Sequence, residues 1–172
     1  MKKSNEIVMK PIGTIHTPFK DVDDNIPIQG KLMPEHEGKV EVNEEYREGL
    51  MDIDGFSHLI LIYSFHKSSH VKLVGKPYMD NKKHGVFAYR SPHRPNHIGL
   101  TIVELIDIKD NTLIIKGVDM VDGTPLLDIK PYNPGFDEQC NVRTGWMEKY
   151  FNGDKKMGNI TVDSKEKWLH ED

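Results

Sequence analysis

Alternating apolar and polar residues mark several short strands along the chain. Gly38–Val42 alternates apolar and polar side chains, as expected for a strand with one buried face, and Leu100–Ile108 and Thr112–Lys116 are also predicted as strands. The Asp110–Asn111 pair is a turn signal, so the last two segments are predicted to pair as a hairpin. Phe56–His66 is the most hydrophobic run and is rich in β-branched and aromatic residues, which predicts a central strand.

Glycine and proline interrupt the other strand candidates. Ile7–His16 is predicted as an edge strand with an irregularity at Pro11 and Gly13. Gly85–Tyr89 is predicted as a short strand leading into a polar loop, and Leu126–Ile129 as another short strand. Together these segments give six or more short strands, which indicate a mainly β fold, either an antiparallel barrel or a sandwich.

Helix is sparse in this pattern. Asn43–Leu50 has an Asx residue at its start and two early glutamates, so about two helical turns are predicted. The segment from Gln139 contains Trp146, Met147 and Tyr150 and is predicted to be a short amphipathic element. The sequence has no G-x-G-x-x-G loop and no P-loop motif, so common dinucleotide-binding and NTP-binding folds lose support.

The composition fits one globular domain. The chain has 172 residues, of which 37% are hydrophobic and 29% are charged, and its formal net charge is -4. It therefore lacks the global basic excess of many dedicated nucleic-acid binders. We assign residues 1–150 to the domain and 151–172 to a tail or small appendage, in which Ile160–Val162 and Trp168 are candidates for packing.

Cysteine and histidine usage limits the kinds of site. Cys140 is the single cysteine, which excludes an internal disulfide and fits a reducing, cytoplasmic setting. The sequence contains no apolar run of ~18 residues, and its start lacks an apolar leader core, so neither a membrane helix nor a signal peptide is expected. His66 and His70 are four residues apart, but Lys67 stands where the zinc-helix motif requires Glu, so no metal site is predicted.

Residues Gly85–Leu100 form the least generic stretch. Arg90 and Arg94 lie in a loop stiffened by Pro92 and Pro95, between apolar runs. Arginine offers a planar fork of donors that suits carboxylate or phosphate groups. The stretch is therefore predicted to be a recognition loop held on a rigid scaffold.

A second constellation of charged residues comprises Asp119, Asp122, Asp128 and Lys130. Asp122 precedes a glycine and is read as a turn residue. Asp128 interrupts an apolar strand, so its carboxylate is expected to have a Lys or Arg partner or a ligand donor. The residues alone thus indicate a β protein that binds a ligand through a basic loop.

Two motifs resemble the TsaA/TrmO family. They are G-V-F-A-Y-R-S-P-H-R-P-N with I-G-L ending at Leu100, and V-D-G-T-P-L-L-D-I-K-P-Y ending at Tyr132. The resemblance spans roughly Ile7 to Lys149 and is closest to the short, single-domain members. His97 departs from the family pattern, in which a proline follows R-P-N.

The resemblance implies a fold and an activity. It implies an antiparallel β-barrel with short helices and a homodimer whose cofactor pocket lies near the subunit interface. It also implies an S-adenosylmethionine-dependent tRNA methyltransferase that acts on N6 of threonylcarbamoyladenosine beside the anticodon. Matched position by position, it implies that the cofactor is held by Gln29, Gly30, His66, Lys67, Phe87, Ala88, Arg90 and Leu100.

The implied chemistry needs a proton acceptor and an anion site. Because the acceptor nitrogen carries a carbonyl group, a general base would assist, and Asp128, His66 and Tyr132 are the candidates. The carboxylate of the threonyl group requires a cation, for which Arg94, Lys130 and Arg143 are the candidates. Two alternatives stay open: a module that binds S-adenosylmethionine without methylating RNA, and a methyltransferase for a small molecule.

Overall fold

The computed structural model describes residues 6–22 and 24–151. These residues form eight β-strands, two short α-helices and several 3-10 turns. The strands are β1 Gly13–His16, β2 Glu37–Val42, β3 His58–Ser64, β4 Val74–Gly75, β5 His84–Gly85, β6 Ile98–Lys109, β7 Thr112–Lys116 and β8 Thr124–Pro131. The helices are α1 Pro134–Asp137 and α2 Glu148–Phe151.

Six of the strands pair in a closed ring. Their order is β1-β2-β7-β6-β3-β8, and β8 pairs again with β1, so the sheet forms a closed barrel. The paired strands are antiparallel throughout. β4 and β5 form a separate two-stranded hairpin. The prediction of a mainly β fold with few short helices is confirmed.

Alternation along the strands builds the core. In β3, the side chains of Leu59, Leu61 and Tyr63 are buried, whereas the residues between them are only partly buried. The other strands contribute in the same way, and the fully buried side chains include Ile15, Val40, Val103, Leu113, Ile115 and Leu126.

The first strand is shorter than predicted. Ile7 and Val8 are 79% and 84% exposed, and only Gly13–His16 joins the sheet. Gly13 is required at the start of β1 because a Cβ atom there would lie 2.3 Å from the carbonyl oxygen of Glu41. The prediction of a strand over Ile7–His16 is therefore wrong for its first half.

Two further segments differ in local conformation. Gly85–Tyr89 is not a strand: pairing stops at Gly85, and residues Val86–Ala88 form a 3-10 turn. Glu44–Leu50 is helical as predicted but is a 3-10 helix, and the Asn43 side chain makes no capping hydrogen bond. The strands predicted over Gly38–Val42 and Thr112–Lys116 match β2 and β7 closely.

Three long connections leave the barrel at the same end. Because neighbouring strands are antiparallel, β1, β3 and β7 end where β2, β6 and β8 begin. Residues 17–36, 65–97 and 117–123 therefore meet at one rim, which we call the loop end. The 43–57 connection, the turn at Asp110 and the end of β8 lie at the opposite end.

The sequence predicts neither a metal site nor a membrane-spanning helix. Among the described residues, no group of three or more His, Cys, Asp or Glu side chains is placed to hold a metal ion. No helix within the described ranges has the length and apolar character needed to span a bilayer. The predicted appendage at 151–172, with Ile160–Val162 and Trp168, lies outside the described residues apart from Phe151.

Candidate functional site

A buried carboxylate, Asp119, lies at the centre of the loop end. Its Oδ2 atom accepts hydrogen bonds from the Gly30 backbone N–H at 2.8 Å and from the Thr101 hydroxyl at 2.9 Å. Its Oδ1 atom accepts from the Tyr63 hydroxyl at 3.4 Å. Asp119 thus ties the 17–36 connection to strands β3 and β6.

Burial sets the protonation states of Asp119 and Tyr63. It raises the pKa of Asp119 to about 6, against the opposing effect of the Gly30, Thr101 and Tyr63 hydrogen bonds and of the Arg90 charge. Burial and the neighbouring Asp119 charge raise the pKa of the Tyr63 phenol well above its usual range. At neutral pH the carboxyl is mostly ionised and Tyr63 is a donor. Costly buried charges of this kind are enriched at functional sites.

Arg90 connects residues 65–97 to the hydrogen-bonded group around Asp119. Its guanidinium donates a hydrogen bond to Oε1 of Gln29. Next to Gln29, the backbone of Gly30 packs directly on Gly117, where a Cβ atom on Gly30 would lie 1.7 Å from the Gly117 carbonyl oxygen. Gly117 has a φ of 83°, a left-handed conformation that favours glycine. All three connections therefore meet in one compact junction.

Close packing also explains the I-G-L motif. The ring of Tyr63 lies against Gly99, and a Cβ atom on Gly99 would fall 2.3 Å from that ring. Gly99 is thus required for Tyr63 to reach Asp119. The motif therefore supports the junction through Tyr63 and does not line it directly.

Comparison with known proteins identifies the family of this chain. Residues 14–138 match the model for the tRNA-methyltransferase O N-terminal domain. The chain belongs to the tRNA-methyltransferase O family. Its barrel, described above, is covered almost completely by that match.

Several relatives carry informative names. A probable S-adenosyl-L-methionine-binding protein of Pyrococcus abyssi is 55% identical over 143 residues, which cover 83% of this chain and 77% of the relative. The human tRNA (adenine(37)-N6)-methyltransferase is 44% identical over 96 residues, covering 54% of this chain but 22% of that enzyme. The crystal structure of TrmO from Pseudomonas aeruginosa superposes with a TM-score of 0.71 at 33% identity. That match covers 86% of this chain and 64% of the TrmO chain, so this chain spans less than two thirds of the human and Pseudomonas proteins.

The predicted cofactor residues of this TrmO-family chain all lie at the loop end or on its border. Gln29, Gly30 and Arg90 meet in the junction, as described. His66 and Lys67 are exposed directly after β3 at the same end. The remaining three are exposed: Phe87 and Ala88 in the 3-10 turn, and Leu100 on the outer face of β6.

The three base candidates do not share a site within one chain of this TrmO-family protein. His66 lies at the loop end, 3.4 Å from the Thr124 hydroxyl. Tyr132 follows β8 at the opposite end, where its hydroxyl donates to Glu138 at 3.1 Å. Strand β3 separates the two ends by six residue steps, which is roughly 20 Å. Asp128 has the basic partner expected from the sequence, because Lys130 lies 2.7 Å away in a partly exposed ion pair.

The three predicted substrate cations of the TrmO-family chain have different surroundings. Arg94 donates to the carbonyl oxygens of Val86 and Tyr89 at 3.0 and 2.9 Å and so holds the recognition loop in shape. Lys130 is engaged by Asp128. Arg143 is exposed and lines a groove next to the 3-10 turn.

This groove is formed by the C-terminal part of the described TrmO-family chain. Trp146 donates from Nε1 to the carbonyl oxygen of Ala88 at 2.8 Å and stacks on His84 with ring centroids 4.5 Å apart. Lys149 pairs with Asp80 at 2.9 Å. An open groove of about 390 Å³ remains between Ala88 and residues 143–147. The C-terminal segment therefore belongs to the rim of the candidate site.

His97 explains why this member of the TrmO family departs from the R-P-N-P pattern. It has a φ of 49°, which proline cannot adopt because its ring fixes φ near −65°. The His97 ring contacts the Pro92 carbonyl oxygen at 3.0 Å from Nδ1. Proline at this position would therefore require a different loop backbone.

Asp119, Tyr63 and Trp146 received no site role from the sequence. Asp119 was visible only as one of the three acids in the second constellation, and its pairing with Gly30 spans 89 residues. The signal that could have singled it out is its place in the apolar run V-D-M-V, where a carboxylate requires partners.

Proposed function

We propose that this chain binds S-adenosylmethionine at the loop end and methylates N6 of threonylcarbamoyladenosine next to the tRNA anticodon. Family membership and the names of the human and archaeal relatives support this proposal. The structural observation that carries it is the meeting of Gln29, Gly30 and Arg90 around Asp119. The chemistry would take place in the cytoplasm, where tRNA is available.

The residues of the junction fit such a cofactor. S-adenosylmethionine carries a carboxylate, an ammonium group and a sulfonium centre. Arg90 offers a planar set of donors for a carboxylate. Gly30 presents bare backbone, since a side chain there has no room. The ionised Asp119 nearby favours positive charge at the site.

Alignment is the main task of these side chains. S-adenosylmethionine supplies a methyl group already activated by its sulfonium, so the protein contributes chiefly by positioning donor and acceptor. Gln29 fixes the direction of the Arg90 guanidinium, and Asp119 fixes the backbone at Gly30. His66, Lys67, Phe87, Ala88 and Leu100 complete the proposed cofactor set.

His66 is the base that best suits the proposed reaction. Burial and the Lys67 charge lower the pKa of His66, so its ring is neutral at pH 7 and able to accept a proton. It also lies at the loop end, unlike Tyr132. Arg143 is the proposed partner for the threonyl carboxylate, because Arg94 and Lys130 are engaged elsewhere.

An apolar stripe on β6 supports a homodimer. Leu100, Ile102 and Ile106 lie on the outer face of β6 and are 46%, 41% and 45% exposed, with the exposed Glu104 between the last two. Exposed apolar rows on a sheet favour association. We propose that two chains pack through this stripe. Leu100 belongs to both the stripe and the proposed cofactor set, so the pocket would border the interface.

Methyl transfer can be tested directly. The pure protein is incubated with methyl-labelled S-adenosylmethionine and tRNA carrying threonylcarbamoyladenosine, and matched tRNA without that modification is the control. Label confined to the modified tRNA is expected. Absence of label, under conditions where calorimetry shows that the cofactor binds, contradicts the proposal.

That negative result would favour a second function. The Pyrococcus abyssi relative, which covers most of this chain, is named only as a probable S-adenosyl-L-methionine-binding protein. A module that binds the cofactor without methylating RNA would show calorimetric binding and no transfer to any tRNA pool.

A further inference from the structure

Positive charge is concentrated in one segment of the chain. Residues 66–97, which we call the basic segment, contain seven Lys and Arg residues and one acid, a formal charge of +6. Because the whole chain carries -4, the remaining residues carry -10. The seven cations are Lys67, Lys72, Lys76, Lys82, Lys83, Arg90 and Arg94.

The one acid of the basic segment is withdrawn from the surface. Asp80 is 8% exposed and pairs with Lys149 at 2.9 Å and with His84 at 3.3 Å. The Lys149 ammonium group is the main reason that the pKa of Asp80 falls to about 2. The outer surface of the segment therefore presents cations.

Four of these cations are available to a partner. Lys67, Lys76, Lys82 and Lys83 are exposed and have no ion pair among residues 6–22 and 24–151. By contrast, Lys109, Lys116 and Lys130 each pair with a nearby acid. Unpaired exposed lysines on one segment provide an electrostatic surface for an anion with several charges.

Exposed aromatic rings accompany the cations. Tyr78 and Phe87 are 42% and 78% exposed, and the Arg94 guanidinium lies 5.9 Å from the Phe87 ring centroid. Cations interleaved with rings suit single-stranded nucleic acid, because phosphates pair with lysine and unstacked bases stack on aromatic faces.

The basic segment is held as one folded unit beside the candidate site. Strands β4 and β5 pair within it, and the Lys72 N–H donates to the His93 carbonyl oxygen at 3.0 Å. It begins at His66, two residues after the end of β3, and contains Arg90. The connection at the opposite end, residues 43–57, carries five acids and one arginine, which would repel RNA.

We propose that the basic segment is the surface on which RNA phosphates dock, with the loop around Lys76, Lys82 and Lys83 as its outer part. The proposal rests on the proposed tRNA methyltransferase function and adds where the substrate lies. RNA approaches the loop end across β4 and β5, so that the target nucleoside reaches Arg90 and His66.

Matched charge-removing variants of the full chain test this surface. The triple variant K76Q/K82Q/K83Q is compared with K10Q/R47Q/K109Q, which removes three positive charges at the opposite end. Binding of an unmodified tRNA transcript is measured over a series of KCl concentrations. Each lost phosphate contact lowers the slope of log K against log salt by about 0.7 to 0.9. The first variant is expected to lose about two units of slope, and the second less than half a unit.

The outcomes distinguish failure of the RNA-docking surface from failure of the proposed methyltransferase function. S-adenosylmethionine affinity is measured by calorimetry for both variants and is expected to be unchanged, which shows that the site remains folded. Equal tRNA slopes for both triple variants, with tRNA binding by the wild type intact, overturn the surface and leave the proposed function standing. Failure of the wild type to bind either the unmodified transcript or tRNA carrying threonylcarbamoyladenosine overturns both.

Discussion

Replacing Asp119 by Asn removes a buried charge while keeping the size of the side chain. Burial raises the pKa of this carboxyl to about 6 in the folded protein, against an ordinary value of 3.8. This difference of about two units corresponds to a cost of about 3 kcal/mol for the ionised form at neutral pH. An asparagine oxygen can still accept from Gly30 and Thr101. The variant is therefore expected to be more stable than the wild type at pH 8 by up to about 3 kcal/mol.

The stability gained by Asp119→Asn should depend on pH. Because the folded-state pKa of Asp119 is raised, its contribution to wild-type stability falls as pH rises from about 4 to about 6 and is level above that range. The gain of the Asp119→Asn variant should therefore be absent near pH 4, grow to pH 6 and stay constant to pH 8. Urea unfolding at pH 4, 5, 6 and 8 measures the free energy of unfolding for both proteins.

Asp122→Asn is the matched control with the opposite sign. The Lys20 ammonium group and the Thr17 N–H lower the pKa of Asp122, so its ionised form stabilises the fold above pH 4. This variant should lose stability at pH 8 and lose less at pH 3. An Asp119→Asn gain that is equal at pH 4 and pH 8, or a loss that grows with pH, refutes the account of a costly buried charge.

Three further substitutions test the site and the interface. Gly30→Ala forces a Cβ atom to within 1.7 Å of the Gly117 carbonyl oxygen and should lower the free energy of unfolding in urea by about 2 kcal/mol. The control Gly85→Ala meets nothing within 4 Å and should cost under about 1 kcal/mol. Arg90→Ala should weaken S-adenosylmethionine binding roughly 10- to 100-fold by calorimetry, because a charge-assisted hydrogen bond is lost. Ile102→Glu should convert the dimer to a monomer in light scattering, because it places a charge in the β6 stripe.

Each of these has a clear contrary result. Equal unfolding energies for the two glycine variants would mean that the contact between residues 30 and 117 is not tight. Unchanged cofactor affinity for the Arg90 variant would place the pocket elsewhere. A wild type that is monomeric at the concentrations used, or a glutamate variant that stays dimeric, would remove the β6 stripe from the interface.

Alternation in one segment, and a turn signal before the other, made two of the strands predictable. Thr112–Lys116 coincides with β7, and Gly38–Val42 differs from β2 by one residue, because each strand buries one face in the barrel. The pattern failed at Ile7–Met9, where three apolar residues are exposed and unpaired with the sheet. Apolar composition predicts a strand there, but pairing depends on partners that the local sequence does not reveal.

The candidate site was predictable only where local motifs carried it. The family motifs pointed to Arg90, and the structure places it beside Gln29 and Gly30, 61 residues away along the chain. Asp119 and Trp146 act through contacts that span 89 and 58 residues, to Gly30 and Ala88. Such contacts arise from barrel closure and from docking of the C-terminal segment, and no local spacing encodes them.

Methylation of threonylcarbamoyladenosine in tRNA can be tested in the cell by one measurement. Mass spectrometry of anticodon-loop nucleosides compares a strain that has the gene with a deletion strain complemented by wild type or by Arg90→Ala. We expect N6-methylated threonylcarbamoyladenosine to be lost on deletion and restored by wild type only. The same amount of the methylated nucleoside in the deletion strain would contradict it.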